Sequence, residues 1–136
     1  MLTTACIHPE IMAALALCGH GSKILIADGN YPVNEKGGDG TKVFLGLCRG
    51  IPTVMDVLKA LHTVVEFEHA EVMTPGEGAE PEIFSEFRAE LPGVMLSGLD
   101  RFSFYDRCME PGAVTLAIST GEERTFAGIL LTVGCA

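Results

Sequence analysis

Leu17-Cys18-Gly19-His20-Gly21-Ser22-Lys23-Ile24-Leu25-Ile26-Ala27-Asp28-Gly29-Asn30-Tyr31-Pro32 packs a helix stop, a histidine, a strand and an aspartate into sixteen residues. A helical pattern ends at Gly19. His20 stands between two glycines, which tolerate positive φ and so permit a tight turn that presents the imidazole in a cleft. Ile24-Leu25-Ile26 is apolar on both faces, as in an internal strand. The strand ends on Asp28, at the rim where α/β proteins place their chemistry. The reading therefore brings an acid–base side chain, a carboxylate and a polar loop into one short unit.

Working outward, helices and strands alternate. Helices are expected over 8–18, 53–65, 82–91 and 100–109. The first has Pro9 near its start and Gly19 as its stop, and the last has Asp100 as N-cap. Val54, Val57, Leu58, Leu61 and Val65 form the clearest apolar stripe. Strands are expected over 23–27, 42–48, 66–73, 113–120 and 126–133, with loops at 34–41 and 75–81. The alternation predicts a single α/β domain over residues 1–136, its mixed central sheet covered by helices. Gly121-Glu122-Glu123-Arg124 reads as the turn of a terminal hairpin, the source of the antiparallel pairing.

Composition narrows the function. Among 136 residues, 18 acids against 9 bases give a net charge of -9. That argues against nucleic acid as the partner, since phosphate binding needs clustered Lys and Arg, and favours a neutral ligand. Apolar residues make up 48% of the chain, yet no run reaches the ~20 needed to cross a bilayer. The excess is expected at contacts between subunits. The N-terminus lacks the basic region of a signal peptide. The five cysteines are odd in number and form no CxxC pair, which fits free thiols in a reducing cytoplasm and no structural zinc.

Several side chains are candidates for chemistry. Gly19-His20-Gly21-Ser22-Lys23 has the composition of a phosphate loop but the wrong order, because it follows a helix and opens a strand. His20 carries an imidazole, a group able to give or take a proton, or it merely caps helix carbonyls. Asp28 can accept from a hydroxyl or orient an imidazole, or open an Asx-turn through Gly29-Asn30. Asn30 and Tyr31 stand ready for ligand or turn. Arg107 shares a helix with Phe102, Tyr105 and Met109, an arrangement suited to sugars or to an ion pair with Asp106 or Glu110. His62 and His69 read as ordinary helix and strand residues, and Cys18 as helix-end packing.

In order, Ile7-His8-Pro9, Gly19-His20-Gly21, Asp28-Gly29-Asn30-Tyr31-Pro32, Arg49-Gly50-Ile51-Pro52, Val54-Met55-Asp56-Val57-Leu58, Phe104-Tyr105 with Arg107, Thr120-Gly121-Glu122 and Ile129-Leu130-Leu131 with Gly134 resemble the ribose pyranase and L-fucose mutarotase family, closer to the fucose branch. The resemblance spans nearly the whole chain. It implies a cytoplasmic isomerase without metal or cofactor that interconverts anomers or ring forms of a monosaccharide. It also implies a ring-shaped homo-oligomer, a decamer or pentamer, with sites near subunit boundaries.

Opening a cyclic hemiacetal removes the anomeric proton and protonates the ring oxygen, and closing from the other face reverses both. Chemistry and resemblance together assign His20 as acid–base, Asp28 as its partner and Arg107 as hydroxyl donor, with Asn30, Tyr105, Phe126 and Gly128 as further sugar contacts. The chain departs from the family at Phe126-Ala127-Gly128, where Tyr-Gly-Asn or Tyr-Ala-Asn is usual. The missing phenol and amide imply a different sugar, waters in their place, or a scaffold that binds a monosaccharide without catalysis.

Overall fold

A computed structural model describes residues 1–136. Strands β1 (Lys23–Ala27), β2 (Thr41–Phe44), β3 (Phe67–Met73), β4 (Met95–Leu99), β5 (Val114–Ser119) and β6 (Ile129–Val133) form one mixed sheet in the order β2-β5-β1-β6-β3-β4. β5 runs parallel to both β1 and β2, and β4 runs parallel to β3. β6 is antiparallel to both of its neighbours, β1 and β3. Five strands thus point one way, and β6 alone is reversed near the middle. The carboxyl ends of β1 to β5 all reach one edge of the sheet, here the carboxyl edge. The amino edge lies opposite.

The helices are α1 (Pro9–Leu17), α2 (Val33–Lys36), α3 (Val54–His62), α4 (Ile83–Glu90) and α5 (Arg101–Met109). Local chemistry fixes their ends. At α1 the His8 ring accepts from the Ile11 N–H, with Pro at the first helical turn. α3 carries a full capping box between Thr53 and Asp56. At α5 Asp100 accepts from the Ser103 N–H at 2.9 Å and from its hydroxyl at 2.8 Å.

Strand alternation sorts the core into two layers. Ile24, Ile26, Leu116, Ile118, Ile129 and Leu131 face α1, α3 and α4. Leu25, Ala27, Ala117 and Leu130 face α2 and α5. All ten residues are fully buried, so β1 is apolar on both faces as its sequence indicates. Emptying such a site, for example by Leu→Ala, costs about 2–5 kcal/mol.

Three differences from the sequence reading have physical causes. The terminal hairpin does not exist: β1 lies between β5 and β6, and Gly121–Arg124 belongs to a longer connection. β6 begins at Ile129 rather than 126, because Phe126 sits at φ 55, where no strand continues. β4 and α2 were not expected. β4 is an exposed edge strand interrupted by Gly98, where a Cβ would lie 2.6 Å from the Thr74 methyl. α2 is a four-residue turn inside an apparent loop.

Candidate active site

β1 sets out both ionisable candidates, at opposite edges of the sheet. His20 precedes the strand and Asp28 follows it, and the five strand residues between them span about 13 Å at ~3.3 Å per step. The expectation that one short unit unites them within a chain is therefore corrected. An extended internal strand separates its two ends; only a turn would have joined them.

At the amino edge, His20 occupies a tight turn closed by the Ser22 N–H to the Gly19 carbonyl at 3.0 Å. Gly21 takes φ 89 there, a conformation that favours glycine. The Gly21 N–H then donates to the Val133 carbonyl at 2.8 Å, which anchors the turn to β6. His20 Nε2 lies 2.8 Å from Glu68 Oε2, with the imidazole side chain 59% exposed. A cleft of about 610 Å³ opens beside it, lined by Cys18, His62, Glu66 and Cys135 among others. His62 pairs with Glu90 at 3.2 Å, and His69 meets Ser97 at 2.9 Å. Those two histidines have the structural roles expected of them.

At the carboxyl edge, Asp28 is buried. One carboxylate oxygen accepts the Asn30 N–H at 2.9 Å, and the other accepts the Ala127 N–H at 3.2 Å. Burial pushes its pKa above the usual carboxylate range, and these N–H groups partly oppose that shift. The Asx-turn reading of Asp28 and Asn30 is thus realised, and the carboxylate also ties β1 to the lead-in of β6.

A cleft of about 170 Å³ opens over it, lined by Asn30, Tyr31, Met73, Arg101, Tyr105, Thr125 and Phe126 as well as Asp28 itself. Arg101 and Tyr105 stand one turn apart on α5, with Arg101 Nε donating to the Tyr105 hydroxyl at 3.2 Å. The guanidinium also lies 5.6 Å from the Tyr105 ring centroid. The cleft therefore offers a carboxylate acceptor, a guanidinium donor, a phenol and apolar surface, which is a complement for a small polyhydroxylated ring.

Arg107 is not part of this cleft. Its Nε donates to Glu71 at 3.0 Å, and Lys23 approaches the other oxygen of that buried carboxylate at 3.8 Å. This is the ion-pair alternative, with a buried partner in place of Asp106. Glu110 adds a weaker contact at 3.6 Å. The arginine that lines this cleft is Arg101, which the sequence reading did not single out; it follows the Asp100 cap at the carboxyl end of β4, a strand the sequence does not mark. Gly128 lies buried against β1, and a Cβ there would make only ordinary contacts, 3.5 Å from the Ile26 carbonyl.

The segment around Phe126 is held by charge. Glu122 is buried and accepts from Arg124 Nε at 3.0 Å, from its terminal nitrogen at 3.1 Å, and from the Val54 N–H at 3.4 Å. Arg124 also bridges to Glu86 on α4. Burial opposes the charge on Glu122, but the Arg124 hydrogen bonds outweigh it and hold the pKa below the ordinary value. Gly121 is required at its position, since a Cβ would lie 2.4 Å from the Cys48 carbonyl. No group of three or more His, Cys, Asp or Glu side chains is placed to hold a metal ion. No helix is long and apolar enough to cross a membrane.

Comparison with known proteins fits this geometry. The sequence pattern of the RbsD / FucU transport protein family matches residues 1–136. Fucose mutarotase of Homo sapiens is 30% identical over 141 residues, covering 96% of this chain and 90% of the relative. D-ribose pyranase of Chloroflexus aggregans is 24% identical over 134 residues, covering 98% of each. The structure of Bacillus subtilis RbsD complexed with D-ribose superposes with a TM-score of 0.86 at 22% identity, over 100% of this chain and 99% of the other. Fucose mutarotase from Streptococcus pneumoniae in complex with L-fucose gives 0.79 at 22% identity, over 100% and 99%. Those two likenesses speak to the fold, and the full-length sequence match speaks to ancestry: this chain belongs to the RbsD/FucU family.

Proposed function

We propose that the protein is a cytoplasmic monosaccharide mutarotase that interconverts anomers or ring forms of L-fucose or a related sugar. The observation that carries the reading is the Asp28 cleft, a small cavity at the carboxyl edge lined by both a buried carboxylate and Arg101. Its family relatives are named fucose mutarotase and D-ribose pyranase, which supports the sugar class. In this reading Asp28 accepts from a sugar hydroxyl and Arg101 donates to another. Asn30, Tyr105 and Phe126 line the remainder, while Gly128, expected as a contact, lies outside the cleft against β1.

His20 supplies the acid–base group from a second copy of the chain. One chain offers His20 at its amino edge and Asp28 at its carboxyl edge, so a site containing both forms when unlike edges of two copies meet. Such a head-to-tail contact is heterologous and closes into a ring if its rotation allows. Exposed apolar side chains fit burial there: Leu47 and Ile51 in the loop flanking the carboxyl edge, and Leu17 and Val64 toward the amino edge.

The chemistry needs only proton transfers. A base takes the anomeric hydroxyl proton, the C1–ring oxygen bond breaks, and the ring oxygen gains a proton; reclosure from the other face gives the second anomer. Positioned proton transfer contributes roughly 10²–10⁴-fold. Exchange NMR on a panel of free aldoses tests the proposal. Anomer exchange should exceed the buffer rate, most strongly for L-fucose or a close relative. No acceleration for any aldose by folded protein overturns it. A second reading, a monosaccharide binder without catalysis, is favoured by Phe126, which offers no hydroxyl. Binding without exchange, retained in His20→Ala, is its signature.

A further inference from the structure

We propose that a second sugar subsite lies beside the Asp28 cleft, and that the substrates include neutral disaccharides with a free reducing end. This rests on the mutarotase reading of the Asp28 cleft. A further cleft of about 380 Å³ opens where the loop after β3 meets the start of α4. Thr125 and Phe126 line both clefts, so the two adjoin across one short segment. The Asp28 cleft, at about 170 Å³, is smaller than the roughly 300–1,000 Å³ usual for a small-molecule site. Joined to its neighbour it falls within that range.

The shared wall is held firmly. Phe126 sits at φ 55, a conformation unfavourable for a residue with a Cβ, which persists only where the surroundings impose it. Arg124, two residues before, is clamped by Glu122 and Glu86, and the Ala127 N–H that follows donates to Asp28. An aromatic ring fixed between two clefts offers a packing face for the C–H side of a sugar.

The lining of the second cleft suits an uncharged sugar. Pro75 and Pro81 supply apolar surface, and Glu77 and Glu82 supply exposed carboxylate acceptors. The Arg124 side chain carries five N–H donors and gives three of them to Glu122 and Glu86, leaving two for hydroxyls. Those two carboxylates already balance its charge. The unbalanced charge of the cleft is therefore that of Glu77 and Glu82, which repels a phosphate or carboxylate on the sugar.

The reaction restricts the linkage. Only the C1–ring oxygen bond of the reducing unit breaks and re-forms. Its anomeric proton passes to the base and its ring oxygen gains a proton, as for a free monosaccharide. The bond to the second unit stays intact, so that unit is attached through a carbon other than C1 of the ring held over Asp28.

The test is exchange NMR on L-fucose, on neutral disaccharides with L-fucose as reducing unit glycosylated at O2, O3 or O4, and on L-fucose phosphorylated at the same oxygens. Should another aldose exchange faster, the set is built on that aldose. At least one disaccharide should show kcat/KM about fivefold or more above the free sugar, because binding of the remote unit assists the reacting one. The matching phosphate should fall below the free sugar. Ala79→Trp places a bulky side chain in the second cleft from an exposed position, and should abolish the disaccharide advantage while free-sugar exchange stays within about twofold. Ala79→Phe should do so to a smaller degree. Disaccharides that all exchange no faster than the free sugar overturn the proposal, as does an advantage that survives Ala79→Trp in a folded protein. A phosphate ester that outpaces its neutral counterpart overturns the neutral class. Parent protein that exchanges no aldose at all defeats the mutarotase reading itself, and this inference with it.

Discussion

His20 and Asp28 flank the same strand in opposite settings. The His20 side chain is 59% exposed and touches one half-exposed carboxylate, whereas Asp28 is 5% exposed and satisfied by two backbone N–H groups. A solvated imidazole on a glycine turn can be presented to another molecule at little cost to its own fold. A buried carboxylate that joins β1 to the lead-in of β6 cannot be moved without loosening both. On the proposed reading the amino edge is offered and the carboxyl edge receives. That asymmetry is what a site shared between copies requires, and it ties the position of β1 in the sheet to the proposed chemistry.

The largest expected effect comes from separating the two halves. His20→Ala and Asp28→Ala should each lower anomer exchange by roughly 10²–10⁴-fold. His20→Ala should leave stability within about 0.5 kcal/mol of the parent, since it alters an exposed side chain. Asp28→Ala should cost about 1–3 kcal/mol, because the buried Ala127 N–H loses its acceptor. If unlike edges meet, refolding the two inactive variants together should restore about a quarter of parental activity, the share of interfaces that receive both intact groups by random assortment. No recovery from a mixture shown to co-assemble removes cross-chain pairing.

A smaller effect sharpens the contrast within the carboxyl edge, where two buried acids have opposite shifts. Glu122 is held below its ordinary value of 4.5, so its contribution is complete above that pH and is lost as pH falls through the folded-state value. Asp28 is raised above 3.8, so its charged form weighs against the fold as pH climbs through its own folded-state value. Glu122→Gln should cost about 1–3 kcal/mol at neutral pH, as the charged hydrogen bonds to a half-solvated Arg124 weaken. The gap to the parent should stay constant down to about pH 4.5 and narrow below it, as measured by denaturant unfolding across pH. A gap that widens in acid contradicts the assigned direction.

The same asymmetry decides what was legible in the sequence. Apolar runs and caps are local, so β1, α3 and α5 stand close to where Ile24-Leu25-Ile26, Thr53 and Asp100 place them. The alternating classes gave the mixed α/β sheet, but strand order depends on long-range pairing. Hence Gly121–Arg124 looked like a hairpin turn while β1 took the place between β5 and β6. At the site, Asp28 was readable from its place at a strand end. Arg101 was not, because β4 has too few buried apolar residues to mark its own carboxyl end, so nothing sets Arg101 at the rim of a sheet. Arg107 drew attention through its aromatic neighbours in sequence, yet a helix turns them to different sides, and its partner Glu71 is buried on a distant strand.

The finest test of the two edges uses the thiols as reporters. Cys48 is exposed in the loop of a cleft that shares Asn30 with the Asp28 site, and Cys135 is exposed in the His20 cleft. Cys6 and Cys108 are buried, and burial pushes Cys108 up to about 11. At pH 8 only about one Cys108 in a thousand is thiolate, so it should resist alkylation in every state and serve as the internal standard. Cys48 and Cys135 should both react readily in dilute protein, where copies are apart. As concentration rises and unlike edges meet, their alkylation should slow by about tenfold, together and over one concentration range, in step with the appearance of exchange activity. Protection of one without the other would mean that copies join through like surfaces, leaving every His20 without an Asp28 opposite it.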